Sequence, residues 1–92
     1  MTAKELIKLH KEINKKCLDI AIQRGKDYNK DGNMVGSYGE YNIDDIASII
    51  KIKAIRIKHN PKIAERECPD IINYCIEILR RFKWNTNING FA

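Results

Sequence analysis

The sequence predicts an all-α protein, a small bundle of three main helices with a long glycine- and tyrosine-rich loop between the first and the second. Three observations carry this expectation. Apolar residues recur at three- and four-residue spacing in three separate stretches. Residues that start and stop helices bracket those stretches. Four of the five glycines and three of the four tyrosines fall within residues 25–41, between the first two stretches. At 92 residues the chain makes one domain near the lower end of sizes that bury a self-sufficient core, so homo-oligomerisation is expected. Residues 1–83 read as the helical domain and 84–92 as a tail or docking arm.

The first helix is expected over residues 3–24. Thr2-Ala3-Lys4-Glu5 has the form of a capping box, Leu6, Leu9, Ile13, Cys17, Ile20 and Ala21 trace its apolar side, and Gly25 supplies a stop. The second begins at a cap on Asn42 or Asp44 and ends near His59, before Asn60-Pro61. Its alternation Ile50-Lys51-Ile52-Lys53 also suits a strand, but the pattern slips by one residue at Ala54, which would turn half of a strand inside out. Ile43, Ile46, Ala47, Ile50, Ala54 and Ile57 form a helical stripe instead. Residues 62–67 suit a short helical turn, and the last helix is expected over 69–83, opened by Pro69, with Ile72, Cys75, Ile76, Leu79 and Phe82 as its apolar side.

Seventeen Lys and Arg against twelve Asp and Glu give a net charge of +5, which favours anionic partners. Isoleucine, lysine and asparagine dominate the chain, however, and an AT-rich coding bias produces the same charge with no ligand in view. The cysteines Cys17, Cys68 and Cys75 are odd in number and lack metal-site or redox spacing, so reduced, mostly packed thiols are expected. That suits a cytoplasmic compartment. No apolar run approaches membrane length, and the first residues lack a signal-peptide core, so no membrane partner is expected.

Loops of more than about 12 residues are uncommon in compact domains unless they bind something or stay disordered. Here the tyrosines supply aromatic faces that a linker would lack, which places the function at or beside the loop. Asp27-x-Asn29-x-Asp31-Gly32 reproduces the first half of a calcium-binding loop, but Tyr38 stands where the bidentate glutamate belongs, so calcium is not expected. A phosphate site is the stronger reading. Lys53 and Arg56 lie three apart on the basic side of the second helix, where both reach one anion, against the competing reading of a solvated lysine face. Glu67 and Asp70 form a Glu-x-x-Asp arrangement that suits magnesium on one helical face, although a proline between them leaves Glu67 outside a helix that Pro69 opens. His10 and His59 stand far apart, and no serine or cysteine sits in a nucleophile motif.

Lys26-Asp27-Tyr28, Lys53-Ala54-Ile55-Arg56 and Asp70-Ile71-Ile72-Asn73-Tyr74 form an ordered pattern. It resembles the small nucleotide-modification-associated domains of phages and, more remotely, the MazG-type all-α nucleotide pyrophosphohydrolases. The resemblance spans about residues 15–80. It implies that Asp27 and Tyr28 end the first helix, that Lys53 and Arg56 face a phosphate, and that Asp70, Asn73 and Tyr74 line the same pocket. MazG-type enzymes hold magnesium with two carboxylate pairs from neighbouring helices. Only Glu67-x-x-Asp70 is present here, and Asn29 replaces a small residue that often follows the Asp-Tyr pair.

The expectation is therefore a cofactor-free phage protein that binds a nucleotide or nucleotide-derived signal, such as an immune second messenger, without turning it over. Asp27, Tyr28, Tyr38, Lys53, Arg56, Asn73 and Tyr74 are the candidate ligand-binding residues, with the tyrosines stacking a base. The alternative is a magnesium-dependent nucleotide pyrophosphohydrolase with Glu67 and Asp70 as metal ligands. A basic nucleic-acid or protein interaction module ranks third, since no DNA-reading helix motif is evident.

Overall fold

The computed structural model describes residues 1–28 and 41–82, the side chains of 25–28 excepted. It is all-α among those residues: α1 (Ala3–Tyr28), α2 (Ile43–His59), a 3₁₀ turn (Pro61–Ile63) and α3 (Ala64–Arg81). The chain divides into two compact units, Met1–Ser37 and Tyr38–Ala92, each considered by itself.

In the first unit the capping box forms as the sequence expects. The Glu5 amide donates to Thr2 Oγ1 at 3.1 Å and the Thr2 amide to Glu5 Oε2 at 3.3 Å, so two orphan donors at the helix start are satisfied reciprocally. Gly25 does not stop the helix, which continues to Tyr28. A glycine inside a helix costs only about 1 kcal/mol against alanine, too little to end a helix whose neighbours favour it. Cys17 is buried, as its place on the apolar stripe predicts, while Leu6, Leu9 and Ile13 of that stripe are exposed.

In the second unit Asn42, not Asp44, caps α2. Its Oδ1 accepts from the Asp45 amide at 2.8 Å, and Asp45 returns the contact to the Asn42 amide at 3.2 Å. The helix reading of the ambiguous isoleucine run holds, and the inward face is Ile46, Ile49, Ile50, Lys53 and Ile57. The predicted stripe is therefore rotated: Ile43, Ala47 and Ala54 are exposed, and Lys53 takes the inner position that Ala54 was expected to hold. At the far end the Asn60 amide closes α2 on the Arg56 carbonyl at 2.9 Å, and the Asn60 side chain accepts from the Lys62 amide to begin the 3₁₀ turn.

The last helix departs most from expectation. It begins at Ala64 and ends at Arg81, so Pro69 lies inside it and does not open it. Proline removes one N–H and one turn-to-turn bond, which the helix survives because side-chain contacts to α2 anchor the turn ahead of it. The consequence is that Glu67 and Asp70 share one helix. α3 packs on α2 and on the 3₁₀ turn. Its orientation reverses the predicted one: Glu67, Asp70, Asn73 and Glu77 are buried, whereas Cys75, Ile76, Leu79 and Phe82 are exposed and Ile72 is half-buried. Cys75 is thus not packed, and Cys68 is also exposed; none of the three cysteines is in a disulfide.

Candidate functional site

The buried polar face of α3 meets the inward lysine of α2. Lys53 Nζ donates to Glu67 Oε2 at 2.9 Å and to Asp70 Oδ2 at 3.2 Å, so one ammonium bridges two carboxylates three residues apart on the same helix. Glu67 is 3 % exposed and Asp70 6 %. Carboxylates so withdrawn from water need paired charge and hydrogen bonds to stay ionised, and the lysine supplies both. Burial works against the Lys53 ammonium, but the hydrogen bonds and charges of Glu67 and Asp70 outweigh it and raise its pKa above the ordinary lysine value. The hydrogen bond from Lys53 in turn holds Glu67 below the usual carboxylate range against its desolvation, with the charges of Lys53 and Arg66 adding to the effect.

The second oxygen of Glu67 faces two guanidinium groups. Arg56 Nη1 of α2 lies 3.9 Å and Arg66 Nη2 of α3 3.3 Å from Glu67 Oε1, and Arg66 Nε also donates to it at 3.4 Å. Both arginine side chains are largely exposed, at 56 % and 71 %. The site therefore has an acidic floor bridged by Lys53 and a rim of two arginines from different helices.

Of the residues singled out from the sequence, Lys53, Arg56, Glu67 and Asp70 come together. Asn73 is buried and Tyr74 half-buried further along the same helix. Asp27 and Tyr28 form the last turn of α1, in the other unit, where their side chains are outside the description, and Tyr38 lies outside the described residues. Lys53 is not the open phosphate ligand that its basic helix face suggested, because it is engaged with carboxylates. Arg66 was missed. Its only signal in the sequence is its place beside Glu67, in the short helical turn expected ahead of Pro69.

No family model, curated protein or solved structure matches the chain. The resemblance rests on its short motifs alone.

Magnesium, which the pyrophosphohydrolase reading requires, does not fit this arrangement. The two carboxylates already share the Lys53 ammonium, and a dication placed between them would meet that positive charge at contact distance. Among the described residues no group of three or more His, Cys, Asp or Glu side chains is arranged to hold a metal.

A second ionic cluster ties α3 to the start of α2. Glu77 accepts a two-point contact from Arg80, Nε to Oε2 at 2.8 Å and Nη2 to Oε1 at 2.7 Å, and a further bond from Arg81 Nε at 3.1 Å. Arg81 Nη1 also donates to the Tyr41 carbonyl, fixing the residue that leads into the α2 cap. The hydrogen bonds from Arg80 chiefly, opposed by burial and assisted by Arg81, lower the Glu77 pKa.

With the pKa values of Glu67 and Glu77 lower in the folded than in the unfolded chain, the unfolded state binds more protons in acid. Their contribution to stability is complete above the ordinary glutamate pKa of 4.5 and is lost as pH falls through the lowered folded values. Urea midpoints are expected to be flat from neutral pH to about pH 5 and to fall steeply below it, with a shallower fall in Glu77→Gln. Equal slopes in wild type and variant would remove Glu77 from the account.

Proposed function

We propose that the chain binds a nucleotide or another phosphorylated small molecule, a nucleotide-derived signal included, without turning it over. The observation that carries this reading is the convergence of Arg56 and Arg66 on one oxygen of Glu67. Guanidinium groups are planar, permanently charged and suited to two-point contact with phosphate. Two of them, exposed and drawn to one spot from separate helices, form a clamp that an incoming phosphate can take over without displacing Lys53 from the other oxygen of Glu67. Asn73 and Tyr74 supply polar and aromatic groups on the same helix. Binding without turnover is favoured because Lys53 fills the space between the carboxylates that a catalytic metal would need.

A small protein that holds such a ligand intact can sequester it, and in a phage the ligand would be a bacterial immune second messenger. Homo-oligomerisation belongs to the same reading. Isothermal titration against mono-, di- and cyclic nucleotides, with inorganic phosphate as the reference, is expected to find binding that weakens about tenfold or more in Arg56→Ala and in Arg66→Ala. Absence of heat with every ligand in the panel would defeat the proposal. Pyrophosphate released from nucleoside triphosphates with magnesium, and lost in Asp70→Ala, would place the chain among the hydrolases instead.

A further inference from the structure

We infer that Glu67 is a built-in competitor for the anion that the two arginines take: its carboxylate occupies the clamp, and a phosphate enters by displacing Glu67 Oε1 from both guanidinium groups. The inference rests on the phosphate-binding reading and adds to it how the empty clamp is held. Arg66 turns its Nε and Nη2 toward Oε1, at 3.4 Å and 3.3 Å. Those two nitrogens form an edge with which a guanidinium grips a carboxylate or a phosphate by two parallel bonds, so a phosphate takes that edge only when Glu67 gives it up. Arg56 Nη1, 3.9 Å from the same oxygen, is beyond hydrogen-bond reach and is drawn there by charge. All three contacts are longer than the about 2.7–2.9 Å of a well-made charge-assisted bond, which leaves a better acceptor something to gain.

The competitor is fixed and the arginines are not. Glu67 is buried and tied by its other oxygen to Lys53 Nζ at 2.9 Å, so it stays in place when the arginines leave it. Arg56 and Arg66 are exposed and swing from it onto a ligand with little loss of packing. A free carboxylate offers them nothing beyond what Glu67 supplies already. An anion displaces Glu67 only if it carries more charge, or oxygens enough for both guanidinium groups at once, and a phosphate dianion has both properties. Glu67 acts on that ligand in two opposed ways. Its carboxylate gathers the arginines beforehand, which favours capture, and it repels the phosphate that arrives beside it, which disfavours capture. Repulsion wins, because the long arginine contacts gather little while the like charge acts at close range from a buried group.

Titration of the full chain with inorganic phosphate tests the competitor. Glu67→Gln keeps the size of the side chain and removes its charge, and it is expected to bind phosphate about tenfold or more tightly than wild type. Glu65→Gln removes the same charge from an exposed position on the same helix and should change the affinity by less than about twofold. A second readout needs no variant and so does not depend on how Glu67→Gln folds. In isotope-labelled wild type, the NMR signals of the Glu67 carboxyl carbon and of Arg66 Nε should shift together along the phosphate titration. Equal or weaker binding by Glu67→Gln, an equal gain in Glu65→Gln, or a Glu67 signal that stays still while phosphate binds overturns the competitor and leaves the phosphate site standing. If neither wild type nor Glu67→Gln binds phosphate, the competitor is overturned, and the nucleotide reading falls with it only if the nucleotide panel is silent too.

Discussion

Ile46→Ala is expected to destabilise the chain by about 3 kcal/mol, in the range seen for removing a buried isoleucine side chain. Ile46 is 0 % exposed, and among the described residues it and Cys17 are the only fully buried hydrophobic side chains. The loss combines the forfeited transfer energy of the deleted carbons with a cavity that two helices and a short turn have little means to close. A domain of this size commonly has only about 5–15 kcal/mol of stability, so the substitution removes a large share of it. The melting temperature should fall by roughly 12–24 °C, given the 4–8 °C per kcal/mol typical of small domains. Ile52, on the same helix but exposed, provides the control: Ile52→Ala should stay within about 0.5 kcal/mol of wild type. Comparable losses at both positions would show that Ile46 is not the packing centre of α2.

Lys53→Met keeps the bulk of the lysine stem and removes the cation, leaving Glu67 and Asp70 side by side without their shared partner. Breaking a fully buried pair costs about 3–5 kcal/mol; here about 2 kcal/mol is expected, because Lys53 retains some solvent contact and Glu67 keeps Arg66. The sign with pH follows from the charges. Without the ammonium the buried Glu67 carboxylate is less favoured in its charged form, so the penalty should shrink as pH falls toward about 4. Adding Glu67→Gln and Asp70→Asn to Lys53→Met should restore much of the loss, since the buried negative charges that Lys53 offsets are then removed with it. Urea denaturation followed by circular dichroism measures all three proteins. An unchanged midpoint in Lys53→Met would mean that the lysine does not neutralise the pair.

Local chemistry was the legible part of this chain. The Thr2–Glu5 box and the stop at Asn60-Pro61 depend on residues within one turn of each other, and both form as read. The one-residue slip at Ala54 was enough to choose helix over strand for α2. Gly25 and Pro69 misled because each acts as a bias of limited size, about 1 kcal/mol for the glycine and one missing bond for the proline. Misplacing the start of α3 had a larger effect on the site. It separated Glu67 from Asp70 and hid Arg66, so the sequence yielded the members of the cluster without its connectivity. Lys53 was read as a phosphate ligand because a lysine on a basic helix face carries no mark of the carboxylates it will meet fourteen and seventeen residues later.

By itself the sequence determined that the chain is helical, roughly where the helices lie, and that α3 has one polar and one apolar side. Periodicity establishes that a helix has two faces but is silent on which one turns inward, since both readings obey the same 3.6-residue repeat. Only the tertiary structure decided that question. It turned the polar face of α3 toward α2, where Lys53 makes the burial of Glu67 and Asp70 tolerable, and left Ile76, Leu79 and Phe82 exposed. The physical reason is pairing across distance: a buried carboxylate is acceptable only beside its cation, and the partner here comes from another helix.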